Sequence, residues 1–354
     1  MAYSSIVKPS DYFNTKLYTG TGSSNAITGV GFQPDFTWIK SRDSGEANIL
    51  TDAVRGATKT LSSNNTDAET TVDQDLTAFG SDGFTVGTNN RVNKSSDNMV
   101  SWNWKANGAG SSNTDGSITS TVSVSTTSGF SIVKYTGNGT GGATIGHGLG
   151  AVPAQIVVKG TSRAESWEVY NKNLDPSNAS YMRWDSTQAS AGSSYWNSTS
   201  PTSSVFTVNS AGGVNASGIE YVAYCFSEIK GYSKIGAYIG NGVDANGTFV
   251  YLGFKPALVI FKNRATAGTD WYMYDNKRGG PVAGVYGNNN KYFLEVNSAG
   301  TEGNESFHLL SNGFKCKITN NFQNEANIPF IYMAFAEEPL VANSGTDGVP
   351  ATAR

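Results

Sequence analysis

Short runs of alternating apolar and polar residues dominate this chain, and the i, i+3, i+4 spacing of amphipathic helices is scarce. Three runs stand out: Phe36 to Lys40, Gln155 to Lys159 and Leu258 to Lys262. Each follows a proline (Pro34, Pro153, Pro256), and Pro suits the start of a strand because it cannot donate to the ladder. Each ends on a lysine, read here as the point where the strand leaves the core. Asp82-Gly83 and Asn312-Gly313 precede further alternating runs and predict hairpin turns. Aromatic runs at Met99–Trp102, Tyr221–Tyr224 and Tyr332–Phe335 predict a closing strand for each of three segments.

The spacing of these runs is itself repeated. Tyr18–Gly22 reads Tyr-Thr-Gly-Thr-Gly, Tyr135–Gly139 reads Tyr-Thr-Gly-Asn-Gly, and Tyr238–Gly242 reads Tyr-Ile-Gly-Asn-Gly. A period of roughly 100 residues is too long for a solenoid unit and matches a small domain. The pattern therefore predicts an all-β chain of three tandem antiparallel β-sandwich modules, jelly-roll-like. Residues 1–107 would hold a leader and the first sandwich. A Gly/Ser/Thr-rich stretch at 108–128 reads as a linker or a loose hairpin. The second sandwich would occupy 129–232, the third 233–341, and 342–354 would form an extended tail. In the leader, Tyr12 and Phe13 are expected to pack on the first repeat.

Composition sharpens this. Charged residues make up 15% of the chain, against about 25% in typical soluble domains, yet aromatics at 12% are enough to anchor cores. A net charge of −3 offers no footprint for nucleic acid. Nowhere do about 18 apolar residues run together, so no membrane insertion is expected, and the N-terminus lacks the apolar run of a signal peptide. Cys225 and Cys316 lie in apolar runs and read as buried reduced thiols.

Candidate chemistry is thin. His147 and His308 sit in different repeats without a nucleophile elbow, and no Cys/His cluster has zinc spacing. The Gly-x-Gly turns lack the Gly-Lys-Ser/Thr of a phosphate loop and lie between strands, so they read as turns. Asp- and Asn-rich loops read as turn chemistry. Glu337 and Glu338, as strand neighbours, point to opposite faces and cannot serve one hydrolytic site. No catalytic residue, cofactor or metal ligand is assigned. Trp167 and Trp271 occupy equivalent positions and read as core. Tyr195 and Trp196 fall in a loop without a counterpart in the other repeats. With Tyr181 and Trp184, they are the candidate contact residues for a partner or a glycan.

The leader Lys8–Asn14, the strand Val30–Lys40, the segment Asp52–Lys59, the stretches Leu61–Asn64, Phe84–Gly87 and Trp102–Ala106, and the endings Met333–Pro339 and Val349–Arg354 carry a resemblance. They resemble a repeated β-module of virion structural proteins from tailed marine phages, including cyanophages. The resemblance implies a non-enzymatic virion protein, made in the host cytoplasm and displayed on the particle surface as head decoration or head fibre. A tail-fibre or tail-tip adhesin binding host glycan is the alternative, and a polysaccharide-degrading enzyme a third. The expected partners are capsid or tail proteins and further copies of the chain, with a trimer as one candidate.

Overall fold

The computed structural model describes residues 4–279 and 289–341. The tail expected at 342–354 lies outside the described residues. The fold is all-β, and every pairing between named strands is antiparallel. In the first repeat the strands are β1 (Phe13–Thr19), β2 (Asn25–Thr28), β3 (Phe36–Ser41), β4 (Ile49–Asp52), β5 (Lys59–Ser62), β6 (Thr70–Thr71), β7 (Leu76–Gly80), β8 (Gly83–Val86) and β9 (Asn98–Trp104). In the second they are β10 (Ser111–Asn113), β11 (Ser120–Ser125), β12 (Phe130–Thr136), β13 (Ala143–Gly146), β14 (Gln155–Gly160), β15 (Glu168–Asn171), β16 (Ser180–Arg183), β17 (Ala191–Gly192), β18 (Val205–Val208) and β19 (Glu220–Phe226). The third holds β20 (Ser233–Ile239), β21 (Phe249–Tyr251), β22 (Phe254–Asn263), β23 (Tyr272–Asp275), β24 (Asn289–Glu295), β25 (Gly303–Leu310), β26 (Gly313–Cys316) and β27 (Pro329–Pro339). Two four-residue helices, α1 (Asn90–Asn93) and α2 (Gly212–Asn215), precede β9 and β19.

The pairing order recurs. The main sheet runs β1-β9-β3-β4-β5 in the first repeat, β12-β19-β14-β15-β16 in the second and β20-β27-β22-β23-β24 in the third. The expected strands after proline are β3, β14 and β22, and Pro256 coincides with a register shift against β27. The predicted Asp-Gly and Asn-Gly hairpins join β7 to β8 and β25 to β26. The stretch read as linker or loose hairpin is a hairpin: β10 pairs with β11, and β11 pairs with β12 in the second repeat's main sheet. Its alternating Thr121, Val122, Ser123 and Val124 give β11 one face to bury, and Val122 joins the core.

The repeated Tyr-x-Gly-x-Gly turn has one explanation in all three places. Tyr18, Tyr135 and Tyr238 donate their hydroxyls to the carbonyls of Val92, Val214 and Gln323, at 2.6, 2.6 and 2.8 Å. The fully buried amides of Asn93, Asn215 and Asn324 accept from the backbone N–H of Thr21, Asn138 and Asn241 inside the turn. A Cβ on Gly20, Gly137 or Gly240 would stand 2.0, 2.3 or 2.1 Å from a backbone oxygen, so only glycine fits the approach. These glycines serve close backbone packing.

The repeats share one core. Its aromatic centre joins Trp104, Phe226 and Phe335, equivalent residues of the three closing strands, with Phe13, Phe36 and Phe130 around them. Phe13 of the leader stacks on Phe335 of the third repeat at 5.3 Å, while Tyr12 meets Tyr232 edge-on. The leader thus packs into the common core. Smaller cores lie inside the first and second repeats.

Candidate interaction surface

Four aromatics carried the expectation of a contact surface, and the structure separates them. Trp196 is 1% exposed and packs edge-on against Tyr170, with ring centroids 5.7 Å apart. Trp184, also 1% exposed, belongs to the shared core against Trp38 and Trp167. Neither offers a face to a partner, which corrects the expectation for both. The reason lies in the second repeat's topology. The first and third repeats back β8 and β26 with a further strand, β7 or β25, whereas β18 pairs only with β13 among the described strands. The unmatched loop carries Trp196 into the second repeat's own core, supplying apolar bulk beside Val208 and Phe206. A loop without a counterpart is therefore a plug.

Tyr181 and Tyr195 do meet, edge-on at 4.8 Å. Arg183 joins them: its guanidinium lies 5.1 Å from the Tyr181 ring centre and donates to the Tyr195 hydroxyl at 3.2 Å. Its Nε also donates to Glu168, 3.1 Å from Oε1. Burial pushes the Glu168 carboxyl up to about 7, Arg183 pulls the other way, and Asp185 and Glu165 add to the rise. This cluster is the place where a buried carboxyl titrates near neutrality. Tyr181 is buried and Tyr195 half-buried, so the group presents an edge to solvent.

Most of the remaining buried charge is spent between repeats. Lys40, Lys159 and Lys262, read from sequence as strand exits, are all fully buried. Each donates across a seam: Lys40 to the Ala299 carbonyl at 3.1 Å, Lys159 to Thr66 at 3.1 Å, Lys262 to Thr187 at 3.4 Å. The first repeat thereby holds the third, the second holds the first, and the third holds the second. Burial lowers all three ammonium groups to about 8, partly offset by nearby acids.

A second ring of contacts follows the same cycle. Asn48, Trp167 and Trp271, at equivalent positions, donate to the carbonyls of Glu295, Ser62 and Arg183. A third ring is backbone: Glu302, Glu69 and Ser190 donate N–H to the carbonyls of Arg42, Thr161 and Arg264. Arg42 adds a two-bond ion pair with Glu302 across the seam between the first and third repeats.

Two seams hold buried ion pairs. Arg55 pairs with Asp52 at 2.5 Å, and Tyr224 of the second repeat donates to the same carboxylate at 2.8 Å. Arg278 pairs with Asp275 at 2.6 Å, and Trp102 of the first repeat donates its indole N–H to it at 3.0 Å. At the equivalent place the second repeat has Asn171 and Leu174, and the Asn171 amide bonds to Gln155 instead. Trp102 and Tyr224 end the matched closing runs read from sequence, but their reach across a seam to an equivalent carboxylate is seen only in the fold.

The histidines and cysteines take no part in the seams described above. His147 is buried, with its ring beside the Thr202 carbonyl and the Leu149 N–H. His308 lies on β25, where burial, Lys317 and Lys315 press it to about 4. Cys225 and Cys316 are free and buried. Among the described residues no three His, Cys, Asp or Glu side chains converge to hold a metal ion, and no helix is long and apolar enough to cross a membrane.

Exposed apolar side chains concentrate on the third repeat. Phe249 and Tyr251 on β21, with Ile239 and Val243 beside them, are 44–55% exposed. β21 is the last strand of its sheet. A cavity of about 670 Å³ adjoins it, lined by Tyr251, Leu252, Lys234, Leu340 and Val341 among others. A second, of about 440 Å³, lies in the second repeat between Val152, Lys172 and Asp175.

No curated protein and no solved structure matches the chain. Residues 8–339, however, match a family described as a domain of unknown function, DUF7483, and the chain belongs to that family.

Proposed function

We propose that the chain is a non-enzymatic structural protein of a tailed-phage virion, carried on the particle surface as head decoration or head fibre. The resemblance of its leader, its β3 strand and its Asp52–Lys59 and Trp102–Ala106 segments to phage virion modules motivates the placement. One observation carries the structural role: the three buried lysines and both buried Asp–Arg pairs bond across or beside the seams. The same resembling segments supply Asp52, Arg55, Trp102 and Trp104, so the shared residues are those that lock one repeat to the next. A surface with few charges also keeps its contacts little affected by salt. The adhesin alternative relied on exposed aromatic platforms, and Trp184 and Trp196 do not supply them. In the virion the chain would assemble with capsid proteins and with its own copies.

Immunogold labelling of intact particles with antibody against the recombinant chain tests this reading. Label over the heads is the expected outcome. Label confined to the tail would move the protein to the adhesin role, and unlabelled particles would defeat the virion reading altogether.

A further inference from the structure

One place in the fold is treated differently by each repeat. Asp35, Ala154 and Ala257 follow the matched prolines Pro34, Pro153 and Pro256, and their carbonyls accept the N–H of Ala53, Lys172 and Asn276. The three positions are therefore equivalent. In the first repeat the Asp35 carboxylate fills the place, accepting the N–H groups of Ala106 and Gly108 at 2.6 and 3.0 Å. In the third, Ser10, Phe13 and Asn14 of the first repeat line it together with Ala257 and leave a hollow of about 50 Å³. In the second, the cavity beside Ala154 measures about 440 Å³, inside the roughly 300–1,000 Å³ range of small-molecule sites.

The far wall of this larger cavity carries Asp175, Pro176, Asn178 and Ser200. Asn178 ties the wall together: its amide accepts from the Tyr170 hydroxyl at 3.1 Å and donates to the Ser200 hydroxyl at 2.9 Å. Its φ of 54° lies in the left-handed region, where Asn is enriched. Asp175 holds the turn before it, accepting from the N–H groups of Ser177 and Ala179 and from the Ser177 hydroxyl. Trp196, four residues before Ser200, is anchored in the core of the same repeat. The wall is thus fixed without a ligand, and little ordering is left for binding to drive.

The charges lining the cavity are already answered. Lys172 pairs with Glu228, whose other oxygen accepts from the Ile235 N–H at 3.0 Å, and Asp175 is held by the donors of its own turn. No unbalanced charge calls for an ionic ligand. An ammonium has three donors and a carboxylate about four acceptor sites, so Lys172 and Glu228 keep capacity beyond their pair. Beside them lies apolar surface from Val152 and Pro176. Val152 is 55% exposed at the position where the other repeats place Gln33 and Lys255. Hydroxyl groups, which donate and accept, carried on a ring with a C–H face match both features. We infer that this cavity binds a neutral saccharide, with hydroxyls on Lys172, Glu228 and Ser200 and the ring face on Val152 and Pro176. The inference does not depend on where in a virion the chain sits.

Titration of the isotope-labelled full chain with glucose, galactose, mannose and N-acetylglucosamine tests this by NMR, each sugar taken to about 100 mM to saturate a site of millimolar affinity. Saturable shifts of the Val152, Lys172 and Asn178 amides are expected with at least one of the four. Val152→Asp, at an exposed rim position, and Lys172→Met should each weaken that sugar about tenfold or more at an unchanged melting temperature. Gln33→Asp, the matched change on the first repeat, should leave binding as it is. Absence of a saturable shift with all four sugars would overturn the inference. So would shifts confined to the cavity beside Tyr251, or an affinity that both second-repeat variants leave untouched.

Discussion

The buried pair of Asp52 and Arg55 at the seam between first and second repeats permits a test with its own internal control. The Arg55 side chain is 1% exposed, and burial works against its charge while Asp52, Tyr224 and Glu69 outweigh that and raise its pKa. Replacing Arg55 by Leu leaves the Asp52 carboxylate buried, with Tyr224 and the backbone N–H groups of Val54 and Arg55 as neutral donors. Breaking a buried pair by removing one partner costs about 3–5 kcal/mol. The second repeat shows a neutral solution at the same place, Asn171 with Leu174. Converting Asp52→Asn together with Arg55→Leu should therefore recover about 2 kcal/mol of that loss, because a neutral amide replaces the stranded charge. Equilibrium urea unfolding of the parent, both single variants and the double variant measures the coupling. The shared core predicts one cooperative transition with a common slope, so the midpoints compare directly. If the double variant loses as much as the two singles added together, the pair is uncoupled and the reasoning fails.

Trp196→Ala should destabilise the chain by about 3–5 kcal/mol, since it empties a plug position in the second repeat's core, and a melting temperature within a degree of the parent would return Trp196 to the surface. Glu168, with its folded pKa pushed up to about 7 from 4.5, binds a proton that the unfolded chain has released. Its contribution is present below pH 4.5 and lost as pH rises through 7, so Glu168→Gln should flatten the fall in stability across that window by about 3 kcal/mol or less. The three seam lysines act in the opposite sense: folded they lose protons near pH 8, unfolded near 10.5, so stability should rise from pH 8 toward 9. The unfolded thiols of Cys225 and Cys316 oppose that rise from about pH 9, because burial raises both in the folded chain. Replacing Lys40, Lys159 and Lys262 together by Met should abolish the rise, and its persistence in the triple variant would place its origin elsewhere.

Local pattern made the strands legible, and long-range partners hid much of the rest. β3, β14 and β22 follow from a proline and alternation, because period-two burial is written into neighbouring residues. The lysines that close those runs were misread because their acceptors are carbonyls up to 259 positions away, which no window of sequence displays. Asp52 and Arg55 were visible as a shared segment, yet their role depends on Tyr224 arriving from another repeat. Repetition was the reliable guide: Trp167 and Trp271, matched between repeats, are core as expected. The inverse step failed. Trp196 lacks a counterpart because it replaces a missing strand, so difference between repeats marked a local repair of the core.

The seams also constrain how further copies could add. Each is the same heterologous contact, with one face of a repeat donating Lys, Asn or Trp to carbonyls on the other face of its neighbour. Such contacts continue indefinitely unless rotation closes them, and here three steps bring the first repeat's donors onto the third repeat's acceptors. Closure consumes both faces of every repeat, so no seam is left to recruit another chain. Any further copy would have to add through surfaces outside the ring, where β2 and β21 are the last strands of their sheets. On β13 the fold itself demonstrates how such an edge is capped, by a short Gly-Ser-Ile segment donated from a connecting stretch. If further copies pair at the open β2 edge, a charge placed there by Ala26→Lys should shift that association toward monomer without changing the melting temperature of the monomer, and an unchanged sedimentation profile would refute pairing at that edge.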